Sequence, residues 1–200
     1  LTIAGLLLLG VVGGGWLYRR PHASGRQAGA PLVDIRPITD FADSAVAPAL
    51  SPDGRMLAFI RGDSAFLTPD QIYVKMLPGG EPRRLTHDPR LKYGPAFSPD
   101  GAEVAYTVME HSGWATYAVS VLGGEPHLVM ANAAGLTWLA PHELLFSQVI
   151  QGQHMGVVAG TDMRADLREL YTPAHERGMA HYAVASPDHQ AALVVEMDEK

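Results

Sequence analysis

The tetrapeptide Ser-Pro-Asp-Gly occurs at Ser51–Gly54 and again at Ser98–Gly101. The match extends outward: Ala47-Pro-Ala-Leu-Ser-Pro-Asp-Gly-Arg-Met-Leu-Ala-Phe against Gly94-Pro-Ala-Phe-Ser-Pro-Asp-Gly-Ala-Glu-Val-Ala-Tyr. A degenerate copy, Ser186-Pro-Asp-His, follows, and Pro141-His-Glu fills the slot between. The turn prolines fall at Pro52, Pro99, Pro141 and Pro187, in steps of 47, 42 and 46. A period of about 40–50 residues built from short β-runs around tight turns is the signature of a β-propeller blade.

The chemistry of the repeat supports that reading. Proline presets φ for the second position of a type I turn, aspartate suits the third, and glycine supplies a left-handed residue after it. Pro52, Asp53 and Gly54, then Pro99, Asp100 and Gly101, then Pro187 and Asp188, are therefore expected to be structural turn residues joining antiparallel strands. His189 stands where glycine is usual, and histidine tolerates positive φ better than most residues. The run Met56-Leu-Ala-Phe-Ile is apolar at consecutive positions, as in a strand buried on both faces. A second marker repeats in phase: Gly79-Gly-Glu-Pro and Gly123-Gly-Glu-Pro, each after a β-rich run. Gly-Gly between two such runs is a hairpin signal. Each unit thus reads as four antiparallel strands.

The fold class expected is all-β, a partial propeller of about three and a half four-stranded blades preceded by one transmembrane helix. The blades are expected at 47–92, 93–133, 134–178 and, in part, 179–200. Closed propellers need about four to eight blades, so the chain is expected to be a piece of a longer protein, extended at both ends.

Leu1 to Tyr18 carries no charge. Eighteen helical residues cover about 27 Å, close to a hydrocarbon core of about 30 Å. Trp16 and Tyr18 suit the interfacial belt, and Arg19-Arg20 end the span. A signal peptide would carry its charge before the apolar core; here the arginines follow it. Residues 1–18 are therefore read as a retained membrane span, and 19–46, rich in Gly, Ala and Pro, as a linker. Gly10 and Gly14 match a small-xxx-small pattern that can pair two membrane helices into a homodimer, although glycine is common in such helices. Arg19, Arg20 and Arg26 would favour a cytoplasmic C-terminal flank.

Composition closes some routes. There is no cysteine, which excludes disulfides and thiolate metal sites and leaves the redox compartment open. The net charge of −6 makes a poor electrostatic partner for nucleic acid.

At Ala49–Phe59 and its second copy the chain resembles the WD40-like repeats of TolB-type propellers, over residues 47–200. Gln71-Ile-Tyr-Val-Lys-Met-Leu-Pro-Gly-Gly-Glu-Pro, Ala134-Gly-Leu-Thr-Trp-Leu and Pro173-Ala-His-Glu-Arg-Gly-Met-Ala-His resemble the sensor halves of bacterial one-span signalling proteins. In those, a serine/threonine kinase domain or a CadC-type winged-helix domain precedes the span. The resemblance implies a single-pass inner-membrane protein with a periplasmic propeller, against the arginine argument. It also implies a protein, peptide or glycan ligand.

The residues assemble no catalytic, cofactor or metal site. His175-Glu176 and His181 are spaced by six, whereas a zinc-protease helix needs two histidines four apart. Prolyl-oligopeptidase-type peptidases resemble this chain in carrying a related propeller, but their Gly-x-Ser-x-Gly elbow is missing; Glu110-His-Ser-Gly-Trp114 is nearest. His-Arg-Asp and Asp-Phe-Gly kinase motifs do not occur either. His111, Trp114 and Tyr117 could form an aromatic lip, with packing inside a blade the plainer expectation.

Overall fold

The computed structural model describes residues 36–64, 68–111 and 113–197. The region expected to span the membrane, 1–18, and linker residues 19–35 lie outside them. Among the described residues no helix is long and apolar enough to cross a membrane. The fold below belongs to one compact unit, Ile38–Lys200.

Among the described residues every element is a strand. The first sheet is β1 (Ser44–Leu50), β2 (Met56–Gly62), β3 (Gln71–Met76) and β4 (Arg83–Arg84), in that spatial order. The second is β5 (Lys92–Phe97), β6 (Glu103–Glu110), β7 (Gly113–Ser120) and β8 (His127–Ala131), again in sequence order. The third holds β9 (Ala134–Ala140), β10 (Glu143–Gln151), β11 (His154–Thr161) and β12 (Arg168–Tyr171). β13 (Met179–Ala185) and β14 (Ala192–Met197) form a further hairpin. One parallel bridge, Met155 to Met179, joins that hairpin to β11, so it continues the third sheet. This is an all-β, propeller-type arrangement of successive up-and-down sheets.

The sheets stack because their middle strands have no wet face. In β6, Val104 to Val108 are all buried, and in β10, Leu144 to Ser147. Ala58, Ile60, Ile72 and Leu85 of the first repeat share a core with Val104, Tyr106, Val108 and Val119 of the second. Met130 packs with Leu136, Leu144 and Phe146, joining the second sheet to the third. Leu145 and Val157 pack with Ala180 and Ala183 of β13. Each large apolar side chain so buried contributes about 1.5–3 kcal/mol. Residues pointing to opposite faces of one strand thus serve two different interfaces.

The corners between first and second strands are built alike. Ser51 Oγ donates to Asp53 Oδ1 at 2.6 Å and accepts from Met56 N–H at 2.8 Å. Arg55 N–H donates to Asp53 Oδ1 at 3.0 Å, and Gly54 N–H to Ser51 O at 2.8 Å. Ser98 and Asp100 repeat this set, with Ala102 and Glu103 as donors. Ser186 and Asp188 repeat it with Gln190 and Ala191. Gly54, Gly101 and His189 have φ of 69°, 70° and 54°, so His189 does take up the glycine conformation. The serine hydroxyl beside each aspartate, then the backbone N–H, holds Asp53, Asp100 and Asp188 below the usual carboxylate range.

The folded body starts earlier than the end of the expected linker. β1 begins at Ser44, and Phe41 stacks on Phe59 with centroids 5.7 Å apart. Asp43 pairs with Arg61 at 2.9 Å, and the Arg61 guanidinium lies 3.9 Å from the Phe41 ring centre. A Gly/Ala/Pro-rich composition suggests a tether; Phe41 on Phe59 and Asp43 on Arg61, each 18 residues apart in sequence, dock its end.

Candidate functional site

The first strand of each repeat bends at an equivalent point. Ala47, Gly94 and Gly135 have φ of 51°, 50° and 58°, and the ladders slip there, between Val46 and Ala49 in β1 and between Tyr93 and Ala96 in β5. β13 has its slip between Ala180 and Tyr182. Such a bulge bends the strand and re-aims its side chains. Pro48 and Pro95 follow the bend directly; a proline lacks the N–H a regular ladder would need, and bulges tolerate it.

Around these four bends lies a cavity of about 510 Å³. Its wall includes Tyr93, Trp114, His181, Tyr182, Met179 and Met197. Tyr93 and Trp114 meet edge to face at 5.7 Å. A second cavity of about 530 Å³ lies on the side of the turn prolines, lined by Pro52, Pro99 and Pro141 with Phe97 and Trp138. Pro48, Pro95 and Tyr182 border both. Neither wall contains a carboxylate, and Lys92 is the cationic side chain that lines one.

Lys92 is spoken for. Its side chain is fully buried, and its ammonium donates to Asp88 O and Arg90 O at 2.9 Å each and to Asp88 Oδ1 at 3.3 Å. Burial lowers its pKa, and Asp88 opposes that. Burial would raise the Asp88 carboxyl, but the Arg90 side chain and backbone and Lys92 outweigh it and hold it at about 2. This cluster therefore fastens the loop 88–90 to the start of β5. Beside it Tyr106 is buried, its hydroxyl has no hydrogen-bond partner, and burial followed by Asp88 pushes its pKa up. Thr107 Oγ1 accepts from Gly135 N–H at 2.8 Å, tying the second sheet to the bend of the third. A side chain at Gly135 would meet His181 O at 3.0 Å, so the bends of β9 and β13 are in close approach.

The residues singled out from sequence take three places. Pro52 and Pro99 rim the second cavity, while Asp53, Gly54, Asp100, Pro187 and Asp188 sit on the exposed corners. Of the aromatic trio, Trp114 reaches the cavity; Tyr117 instead stacks on Tyr106 at 6.4 Å, donates to Glu110 at 2.7 Å and lies under Arg90. His111 is an exposed turn residue. His181 joins the cavity wall, whereas His175 belongs to a loop closed by the Gly178 N–H bond to its carbonyl. Among the described residues no three His, Asp or Glu side chains converge as a metal set. Tyr93 and Tyr182 were not anticipated. Their signal is positional: each lies five or six residues before its repeat's turn proline.

The fold is similar to the β-propeller fold found in TolB proteins. The chain aligns with TolB from Acinetobacter baumannii over 81% of its length and 45% of that protein, with TM-score 0.58 and 16% identity. For TolB from Agrobacterium tumefaciens the figures are 80%, 61%, 0.57 and 19%. A puromycin-hydrolyzing peptidase from Mycobacterium tuberculosis aligns over 82% of this chain and 29% of its own, with TM-score 0.58 and 19% identity. In sequence, 64 residues are 45% identical to the uncharacterized peptidase YuxL of Bacillus subtilis, covering 30% of this chain and 9% of that protein. The chain thus spans 45% and 61% of the two TolB proteins, and its match to YuxL covers 9% of that protein. No protein-family model matches it.

Proposed function

We propose that this chain is the recognition module of a larger membrane-tethered bacterial signalling protein, in which the two cavities act as one channel that takes up an apolar or aromatic peptide segment of a protein partner. The carrying observation is that Tyr93 and Trp114 of the second repeat and Tyr182 of the fourth converge on one cavity around the equivalent bends. Its volume falls within the range of about 300–1,000 Å³ usual for ligand sites, and such sites are mostly apolar with few polar groups. Aromatic side chains are apt anchors because they present large area at low entropic cost. The uncharged stretch Leu1–Tyr18 ahead of the repeats supports a tether in the inner membrane, with the propeller on the periplasmic side.

Occupancy of the channel shifts output only by the difference in ligand affinity between two states of the whole protein. The unseen output domain is taken to be a kinase or a winged-helix domain. Binding is tested by panning a random-octapeptide library on the purified protein and measuring the selected peptides by calorimetry. W114A and Y182A should each weaken binding at least tenfold with the unfolding midpoint nearly unchanged. Equal affinity in wild type and both variants would overturn the site. Protease protection in spheroplasts tests the location: a propeller shielded by the inner membrane would overturn the periplasmic placement.

The YuxL match favours a second reading, in which the propeller accompanies a serine peptidase domain and screens substrates through the same channel. Labelling of the full-length protein by a fluorophosphonate probe, with cleavage of peptide anilides, would decide for it. No labelling would leave the signalling reading standing.

A further inference from the structure

The cavity around the bends has in its wall a hydroxyl that the fold uses only as an acceptor. Residues paired directly across neighbouring strands share a face of the sheet. Tyr93 pairs with Thr107, and Thr107 pairs with Thr116. Trp114 lies two residues before Thr116 on β7 and shares that face. Between them the two threonines hold the start of the third sheet. Thr116 Oγ1 donates to Ala133 O at 3.0 Å, and Thr107 Oγ1 accepts from Gly135 N–H at 2.8 Å.

A threonine hydroxyl has one proton to donate and two lone pairs. The Thr116 proton is used. The Thr107 proton has no acceptor among the described residues, yet Thr107 is 3% exposed and borders the cavity. Tyr93 and Trp114 are half-buried and Tyr182 is 38% exposed, so these wall residues keep contact with solvent. The bend itself does not require a hydroxyl at this place. The residue paired with the one before the bend is Ile60 in the first sheet, Thr107 in the second and Ser147 in the third. Ile60 borders the same cavity with a wholly apolar side chain. A buried donor without an acceptor is costly, and a ligand oxygen placed beside it removes that cost.

We propose that Thr107 is the specificity-determining polar residue of this cavity, donating its hydroxyl proton to one carbonyl oxygen of the bound segment while the adjoining apolar or aromatic side chain packs on Tyr93 and Trp114. A carboxylate is a poor occupant. The Lys92 ammonium is already taken up by Asp88 and Arg90, so an entering anion meets a single neutral donor in an apolar wall and loses its hydration. The class selected is a neutral acyl group, amide or ketone, beside an apolar body. The assignment rests on the channel reading above and supplies the polar contact that reading lacks.

Two fragments of nearly the same shape test it. Acetophenone carries C=O where α-methylstyrene carries C=CH2. The affinity of each for the full-length protein is measured by ligand-observed NMR. T107V should lower the ratio of acetophenone to α-methylstyrene affinity by at least about fivefold; T107S, which keeps the hydroxyl, should hold the ratio within about twofold of wild type. Any loosening caused by freeing Gly135 N–H acts on both fragments and cancels in the ratio. A second measurement needs no variant: the carbonyl stretch of acetophenone bound to wild type should lie below its frequency in an alkane. An alkane-like stretch, or an unchanged ratio in T107V, would overturn the role of Thr107. If W114A still weakens both fragments in that case, the channel reading survives it. If neither fragment binds wild type, or W114A leaves both unaffected, the channel reading falls and this assignment with it.

Discussion

Two kinds of corner turn the first strand of a repeat into the second. At Ser51, Ser98 and Ser186 the corner is tied to itself, by the serine–aspartate bond and the backbone N–H groups that each oxygen accepts. At Pro141 there is neither serine nor aspartate. Ala140 pairs directly with Glu143, and the corner is tied to a neighbouring loop, where Asp162 N–H meets His142 O at 3.3 Å and His142 Nδ1 meets Asp162 Oδ2 at 2.9 Å. The four corners nonetheless fall at matching places in their sheets. The corner's position is therefore set by strand length and stacking, and its hydrogen-bond chemistry is interchangeable.

That contrast can be broken most severely at Ser98. Its buried hydroxyl accepts Glu103 N–H, so S98A should cost about 1–2 kcal/mol, read from the urea midpoint. A cost below about 0.3 kcal/mol would mean the self-tied corner is no stronger than the Pro141 corner. His189 provides a test of opposite sign. It holds φ of 54° in the glycine position, so H189G should stabilise by about 0.5–1 kcal/mol; a loss of stability would show that the histidine ring supplies a contact outweighing the strain.

The acid limb of stability distinguishes the two kinds further. Asp100 titrates below its unfolded value, so its contribution is complete above that value, near 3.8, and is lost as pH falls through the depressed folded value. D100N should flatten the decline in stability below about pH 4; an unchanged acid limb would remove Asp100 from it. Asp88, held at about 2 by Arg90 and Lys92 against the cost of burial, works in the same direction. The smallest effect is expected at the Pro141 corner. The His142–Asp162 pair is exposed, and H142A should change stability by less than about 0.5 kcal/mol. A larger loss would show that this corner relies on its neighbour as heavily as the others rely on themselves.

Legibility follows the reach of the interactions. The Ser-x-Asp corners were readable because every bond in them closes within five residues. β2 and β6 were readable because sheets stacked on both sides require apolar side chains at consecutive positions. The Pro141 corner was harder, since its partner Asp162 lies one hairpin away. Phe41 was placed in a linker because its flanks are loop-like, and only its contact with Phe59 brings it into the fold. The channel wall was the least legible part. Trp114 and Tyr117 lie on the same strand three residues apart, so alternation alone puts them on opposite faces; which face lines the cavity and which a blade interface depends on sheets that neither residue specifies.

The amino-acid sequence by itself determined the period, the corners and the four-strand repeat, because turn geometry and face alternation are local properties of the backbone. The tertiary structure alone decided that four bends, dozens of residues apart in the chain, stand around one cavity and that Ile38 is left outside the core while Leu85 is within it. Burial depends on which sheet comes to lie alongside, and that neighbour is written in a different repeat.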